Sequence, residues 1–565
     1  MAETLFSGQC VDGDIALCEA ALSAQSFLKL VELGVPFPRN RYGEYIGYKT
    51  DHDPRRRATS VGPYTSRQMT ECLEQAVQAK GIPMLDHLQV IRILSDGHTA
   101  YGLLCLDTAA REETDRFVLI QCKNIVYATG GPAGMYADSV YPAGHYGATG
   151  LALEAGVKGK NLTEWQYGLA SVKPRWNVSG TYMQVLPRVY SAAEDGSDER
   201  EFLMDFFKTP AEMLSKLFLK GYQWPFDVRK VAGGSSIIDV LVYLERCKGR
   251  RVYLDYRRNP VGGAFSYDEL EPEARDYLTR AGACFGTPVE RLGHMNAPPW
   301  NFTGTKAWTC REPLEISLCA QHNNGGLAID CWWQTNVAGL FAVGEASASH
   351  GVYRPGGTAL NAGQVGSTRA AQYIAAKRGG APEEGFEQAA AQALEQMGAL
   401  ARRALQPQGN VRALWAQAAR RMSECGAAIR DGGAIAVYLA EVKAQLASFE
   451  RNVTASEAAE LRWVYRLRDM LISQYAYLAA MLDYMQQGGK SRGSALYTDP
   501  AGKKPYAQLP DAFTFVLDDG SRGGRVQEML YRDGACVFEW RPVRPIPKDD
   551  DFFENVWREY RETGT

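Results

Sequence analysis

Two short apolar runs, far apart in the chain, end in the same way. Residues 116–127, RFVLIQCKNIVY, run straight into Ala128-Thr129-Gly130-Gly131, and residues 337–343, VAGLFAV, run into Gly344-Glu345. A buried strand that breaks into glycine is the usual edge of a nucleotide site in an open α/β sheet. The ligand lies beyond the carboxyl ends of the strands and needs backbone without side chains there. Two such junctions imply one sheet, interrupted by the segment 156–330 and resumed after it. One domain inserted into another is the economical arrangement.

The rest of the pattern fits that frame. Apolar spacing predicts helices over 14–34, stopping at Gly34, and over 66–80. Residues 82–94, 101–107 and 116–127 read as β-rich runs, and 384–487 as helical. Within the helical part, Leu461, Val464, Leu467, Leu471, Tyr475, Leu478, Leu482 and Met485 step by three or four and form one packing face. The spacing predicts a helix over 456–487, opened by a capping box from Thr454 to Glu457 and ended by Gly488-Gly489. Residues 500–565 read as a Pro- and charge-rich tail with one hairpin at Asp533-Gly534.

Composition removes several function classes. The 62 Lys and Arg against 65 Asp and Glu leave a charge of −3, so nothing draws the chain to nucleic acid or to an anionic membrane. No apolar run approaches the ~18 residues of a membrane-spanning helix. The N-terminus MAETLFSGQC does not read as a secretory signal. The 12 cysteines are scattered, form no C-x-x-C and show no metal-ligand spacing, as expected of reduced thiols in a cytoplasmic protein without a metal.

The densest chemistry lies in residues 322–371. His322 is followed by Gly325-Gly326, a strand, Gly344-Glu345, and then His350-Gly351-Val352-Tyr353-Arg354-Pro355-Gly356-Gly357 opening a helix from about Leu360 to Lys377. A carboxylate at a strand end accepts hydroxyl hydrogen bonds, and a helix N-terminus offers free N–H groups and positive potential.

In order and spacing this block resembles the C-terminal flavin-binding segment of the fumarate reductase/succinate dehydrogenase flavoprotein family. The resemblance covers roughly residues 10–500, with Ser491-Arg492-Gly493 similar to the end of the family's helical domain. It implies an α/β fold in which a Rossmann-like FAD-binding domain is interrupted by an α+β capping domain and followed by a helical domain. The implied boundaries are 1–155 and 331–380 for the FAD domain, 156–330 for the cap, 381–499 for the helical domain and 500–565 for the tail. It implies FAD as cofactor, held by Ala128, Thr129, Gly130, Gly131, Gly344, Glu345, Gly356, Gly357, Ala359, Leu360 and Asn361. It also implies a small-molecule substrate held by His322 and Arg354, whose planar fork suits a carboxylate.

Three departures sharpen the expectation. The family opens with a strand, G-x-G-x-x-G and a helix, which this sequence does not show. The FAD pyrophosphate is therefore expected to need a separate segment or partner chain, and the chain alone to be largely colourless. The family's proton-relay Arg falls at Ser235, ten residues before the Glu245 to Gly249-Arg250 segment, and its substrate His falls in Trp165-Gln166-Tyr167-Gly168. Arg188 or Tyr167 is left as the proton-transfer group, and fumarate is not the expected substrate. The leading expectation is an FAD-dependent oxidoreductase passing hydride between flavin and an organic substrate, with an electron-transfer protein as a possible partner. The alternative is an incomplete or non-catalytic flavoprotein subunit.

Overall fold

The structure is a computed structural model that describes all residues except 115, 143, 296–311, 549–551 and 564–565. Part of the expected capping segment, 296–311, therefore lies outside the described residues.

The N-terminal part holds helices α1 (Gly13–Glu32) and α2 (Thr65–Ala79), then strands β1 (Leu88–Ser95), β2 (Ala100–Asp107), β3 (Phe117–Gln121) and β4 (Ile125–Tyr127). The run expected as one strand over 116–127 is two, broken at Cys122–Asn124. β3 closes an antiparallel sheet with β1 and β2. β4 leaves it to pair in parallel with β12 (Leu340–Ala342). Leu340, Phe341 and Ala342 sit beside Ile125, Val126 and Tyr127. The two strand-to-glycine junctions are thus neighbours in space, as their shared chemistry requires.

Between β4 and β12 the chain builds a five-stranded antiparallel sheet. Its order is β8 (Arg188–Ala192), β9 (Arg251–Asp255), β10 (Leu314–Asn323), β6 (Trp165–Val172), β7 (Arg175–Asn177). Helices α3 (Pro210–Leu219) and α4 (Ile237–Cys247) belong to the same segment. Every residue of β10 but Glu315, and every residue of β6 but its last, is buried, so this sheet is covered on both faces.

After β12 the chain turns through Gly344 and Gly357, both at positive φ, into α5 (Thr358–Lys377), which packs against α1. Helices α6 (Phe386–Ala404), α7 (Val411–Cys425), α8 (Gly432–Ala447) and α9 (Leu461–Gln486) follow. The anticipated helix over 456–487 begins five residues late. Glu460 accepts from the N–H and hydroxyl of Ser456 at 2.8 Å, in place of the Thr454–Glu457 box.

The C-terminal stretch is less of a tail than expected. Its hairpin, β13 (Arg525–Arg532) and β14 (Ala535–Pro542), turns at Asp533-Gly534 and adds to β5 (Gly159–Lys160) and β11 (Gly326–Leu327) in one sheet. A buried ionic knot secures it. Lys160 Nζ lies 2.9 Å from Asp12, which also takes two bonds from Arg541 and the Arg544 N–H. Burial raises the Asp12 carboxyl, but Lys160 and Arg541 outweigh it and hold the group well below the usual range.

Candidate flavin and substrate site

The site forms where the buried ends of β6 and β10 meet the loop that opens α5. His322 and Gln166 are register partners on β10 and β6. Arg354, buried, donates from Nε to Gln166 Oε1 at 2.9 Å and from Nη1 to the Pro355 carbonyl at 3.1 Å. Its Nη2 makes no hydrogen bond among the described residues and is the free prong of the fork. Burial pulls Arg354 down to about 10, opposed by Glu345 and Tyr141, so it stays a cation at neutral pH.

The state of His322 follows from its neighbours. Asn324 donates its Nδ2 to the Gly351 carbonyl at 2.8 Å, which turns its Oδ1 toward His322 Nδ1 at 2.9 Å. An amide oxygen only accepts, so Nδ1 carries the proton and Nε2 keeps a bare lone pair. That Nε2 is buried and has no partner among the described residues, as is true of Nε2 of His350, whose ring centroid is 5.4 Å away. Burial, with Arg354 beside them, holds both imidazoles neutral by lowering them well below their ordinary value.

Glycine geometry supports the cofactor edge. A Cβ at Gly356 would meet Thr50 at 2.6 Å, and Gly357 caps α5 at φ +86°. Ala359 and Leu360 lie in the first helical turn, where N–H groups have no intrahelical acceptor. Asn361 Nδ2 is buried, with only the Glu19 carboxyl near it among the described residues. On the other strand end, Ala128 and Thr129 lead into Gly130, at φ +69° against the His145 ring, and Gly131, with no room for a Cβ beside Glu345. Glu345, after Gly344, is more committed than expected. Its Oε1 accepts the Asn323 N–H at 2.7 Å and the Tyr141 hydroxyl, leaving Oε2 for a ligand hydroxyl. Burial raises its carboxyl.

Two expected catalytic residues lie elsewhere. Arg188 sits on the sheet's edge strand, paired with Glu201 at 2.8 Å and Glu199 at 3.1 Å. It registers with Asp255, one step past the Leu254–Leu314 pair, whereas His322 is eight residues along β10 from Leu314. At about 3.3 Å per residue that is roughly 26 Å of strand. Tyr167 follows Gln166 and so points to the opposite face of β6. Its hydroxyl lies 2.9 Å from that of Tyr136 and 3.2 Å from the Gly426 carbonyl, with Arg430 beyond. Both are held by structural partners. Ser235, at the expected relay position, is buried and donates to Gln223 at 3.1 Å.

Sequence reasoning passed over Gln166, Asn324 and Glu19. The first was legible as the residue opposite His322 once the register is known. The second stands two residues after His322. The third is an acidic residue on the Ile15–Leu30 buried stripe of α1.

Residues 6–189 match the family model described as an FAD binding domain. The chain carries an FAD-binding domain, and its cofactor is FAD. An L-aspartate oxidase of Mesorhizobium japonicum is 23% identical over 389 residues, 67% of this chain and 64% of that protein. A subunit of the fumarate reductase (CoM/CoB) of Methanothermobacter marburgensis is 23% identical over 347 residues, 60% of this chain and 54% of that one. The matched span thus takes in less than two thirds of these curated relatives. Among solved structures, a quinol-fumarate reductase superposes with a TM-score of 0.67 at 18% identity, covering 98% of this chain and 89% of that one. These findings bear out the resemblance read from the His322–Gly357 block and the expected fold class. The site also fits the cofactor, with unpartnered buried polar atoms, side-chain-free glycines and a helix N-terminus converging at one place. No helix among the described residues is long and apolar enough to cross a membrane.

Proposed function

We propose that this flavoprotein oxidises a small 2-amino or 2-hydroxy acid. The observation that carries this reading is the pairing of a free cationic prong, Arg354 Nη2, with the bare lone pair of His322 Nε2 in one buried site. The first recognises a carboxylate. The second receives an N–H or O–H from the substrate, a demand that an alkene such as fumarate does not meet. Bound FAD supplies the hydride acceptor. Gln166 holds Arg354 through Nε and so fixes the direction of the free prong. Asn324 fixes the His322 tautomer. The buried setting strengthens both contacts by excluding water. Relatives named L-aspartate oxidase support a substrate of this class, and the absence of a cation at Ser235 supports its not being fumarate.

The test is anaerobic mixing of the FAD-loaded protein with L-aspartate, L-malate, succinate and fumarate. Bleaching of the oxidised flavin by an amino or hydroxy acid, and not by succinate, is the expected result. Bleaching by succinate alone would overturn the reading.

A second reading, in which a partner chain or further segment completes the cofactor site, is favoured by one observation. The parallel sheet comprises two three-residue strands, and Val126 in the middle of β4 stands 46% exposed. A partner-dependent rise in FAD affinity would support it.

A further inference from the structure

The reading above makes no use of a buried acid beside α5. Glu19 on α1 is 1% exposed, and among the described residues its carboxylate oxygens have no partner but the nearby Ser349 and Asn361 side chains, whose contacts fall short of full hydrogen-bond geometry. A poorly paired buried carboxyl is costly. Both donors are directed at it and favour its charged form, with the Arg354 cation further off. Ser349 Oγ and Asn361 Nδ2 are themselves buried, with no other partner among the described residues. Asn361 stands at the end of the first turn of α5, next to the N–H groups of Ala359 and Leu360.

Taken together, these three side chains offer a hydrogen-bond sequence. Asn361 Nδ2 donates, Glu19 accepts and the Ser349 hydroxyl donates. The edge of a flavin's pyrimidine ring presents the complement: a carbonyl, an imide N–H and a second carbonyl. Adenine carries a like alternation at N7, N6–H and N1, but the nearness of Glu19 to Arg354, the substrate-binding cation, favours the isoalloxazine here.

We propose that Glu19 is the acceptor for the imide N–H of the isoalloxazine, flanked by Asn361 and Ser349 as donors to the two ring carbonyls. The assignment rests on the flavin reading of the site. It makes Glu19 a cofactor-orienting residue, which sets the ring's register against Arg354 and His322.

The test compares FAD with FAD methylated at the imide nitrogen, titrated into the apoprotein and followed by flavin fluorescence. Methylation removes the donor and leaves both carbonyls. Above pH 8, where Glu19 is ionised, the wild-type protein is expected to bind FAD at least about tenfold more tightly than the methylated form, the worth of one charge-assisted bond. Glu19→Gln keeps an acceptor oxygen and keeps part of the preference. Glu19→Leu binds the two flavins within about twofold of each other. Asn361→Leu, which removes a flanking donor only, weakens both flavins and keeps the preference, and circular dichroism establishes that the variants fold. Equal binding of the two flavins by the wild type, or a preference that survives Glu19→Leu, overturns the assignment. Failure of the wild type to bind either flavin at millimolar concentration would bring down the flavin reading and this assignment with it.

Discussion

Replacing Arg354 by Lys separates recognition of substrate from construction of the site. The structure gives the guanidinium three jobs: Nε to Gln166 at 2.9 Å, Nη1 to the Pro355 carbonyl at 3.1 Å, and a free Nη2. A lysine keeps the charge and reaches one of these positions, not all. Loss of the Nε bond leaves the buried Gln166 Oε1 unpaired, at about 1–3 kcal/mol. Loss of the free Nη2 prong removes one charge-assisted bond to the substrate carboxylate, about 1.5–3 kcal/mol, or roughly 10- to 150-fold in affinity. None of these three jobs is a bond to the flavin, so FAD content should change little. The assay is a titration of the FAD-loaded variant with L-aspartate, read from the flavin spectrum, beside flavin content after desalting. The expected result is weakened ligand binding with near-normal flavin. A loss of flavin in proportion to the loss of ligand binding would show that Arg354 builds the cofactor site, and would refute the argument.

Other consequences follow from the same geometry. Glu19 is pushed up to about 8 by burial, against an unfolded value near 4.5, so the folded apoprotein binds the extra proton between those values. Its stability therefore falls as pH rises from about 4.5 to 8, at up to ~1.4 kcal/mol per pH unit, and the melting temperature of Glu19→Gln should exceed that of the wild type by more at pH 8 than at pH 5. Lys220 and Asp239 form an ion pair at 2.8 Å with both side chains fully buried. Lys220→Met alone should cost about 3–5 kcal/mol in denaturant unfolding, and Lys220→Met with Asp239→Leu should recover most of it. Asp12→Asn should loosen the C-terminal hairpin at a cost of similar order, seen as earlier proteolysis between residues 520 and 545. Because Asp12 is depressed in the folded protein, its contribution is present above pH ~4 and lost as pH falls below it. With Ser235 buried against Gln223, the reduced protein should turn over fumarate slowly or not at all, and brisk turnover would contradict the relay argument.

The parts of the site that were legible in the sequence were those whose geometry is local. A strand ending in glycine fixes its own surroundings, so the Gly130 and Gly344 junctions could be paired from their residues alone. The His322-to-Gly357 order likewise brings Arg354 to the start of α5 within one loop. Arg188 and Tyr167 lie away from His322 for reasons that a one-dimensional pattern does not hold. Tyr167 differs from Gln166 by one position, and in a strand one position is the other face. Arg188 lies on the same sheet as His322, but two strands and most of a strand length away. The hairpin at Asp533-Gly534 was readable from its turn, whereas its union with Gly159–Lys160 depends on a register set by distant residues. Glu19 was hidden because an acid on an apolar stripe reads as a surface residue until the facing helix α5 is in place.

The most direct measurement is a structure of the protein with FAD bound. The account predicts the pyrimidine edge of the ring within about 3.2 Å of the first-turn N–H groups of α5, with Arg354 Nη2 and His322 Nε2 facing the ring's reactive centre across a substrate-sized gap. An isoalloxazine ring bound away from α5, or one that turns its pyrimidine edge from Glu19 and leaves Arg354 paired only with protein, would contradict it.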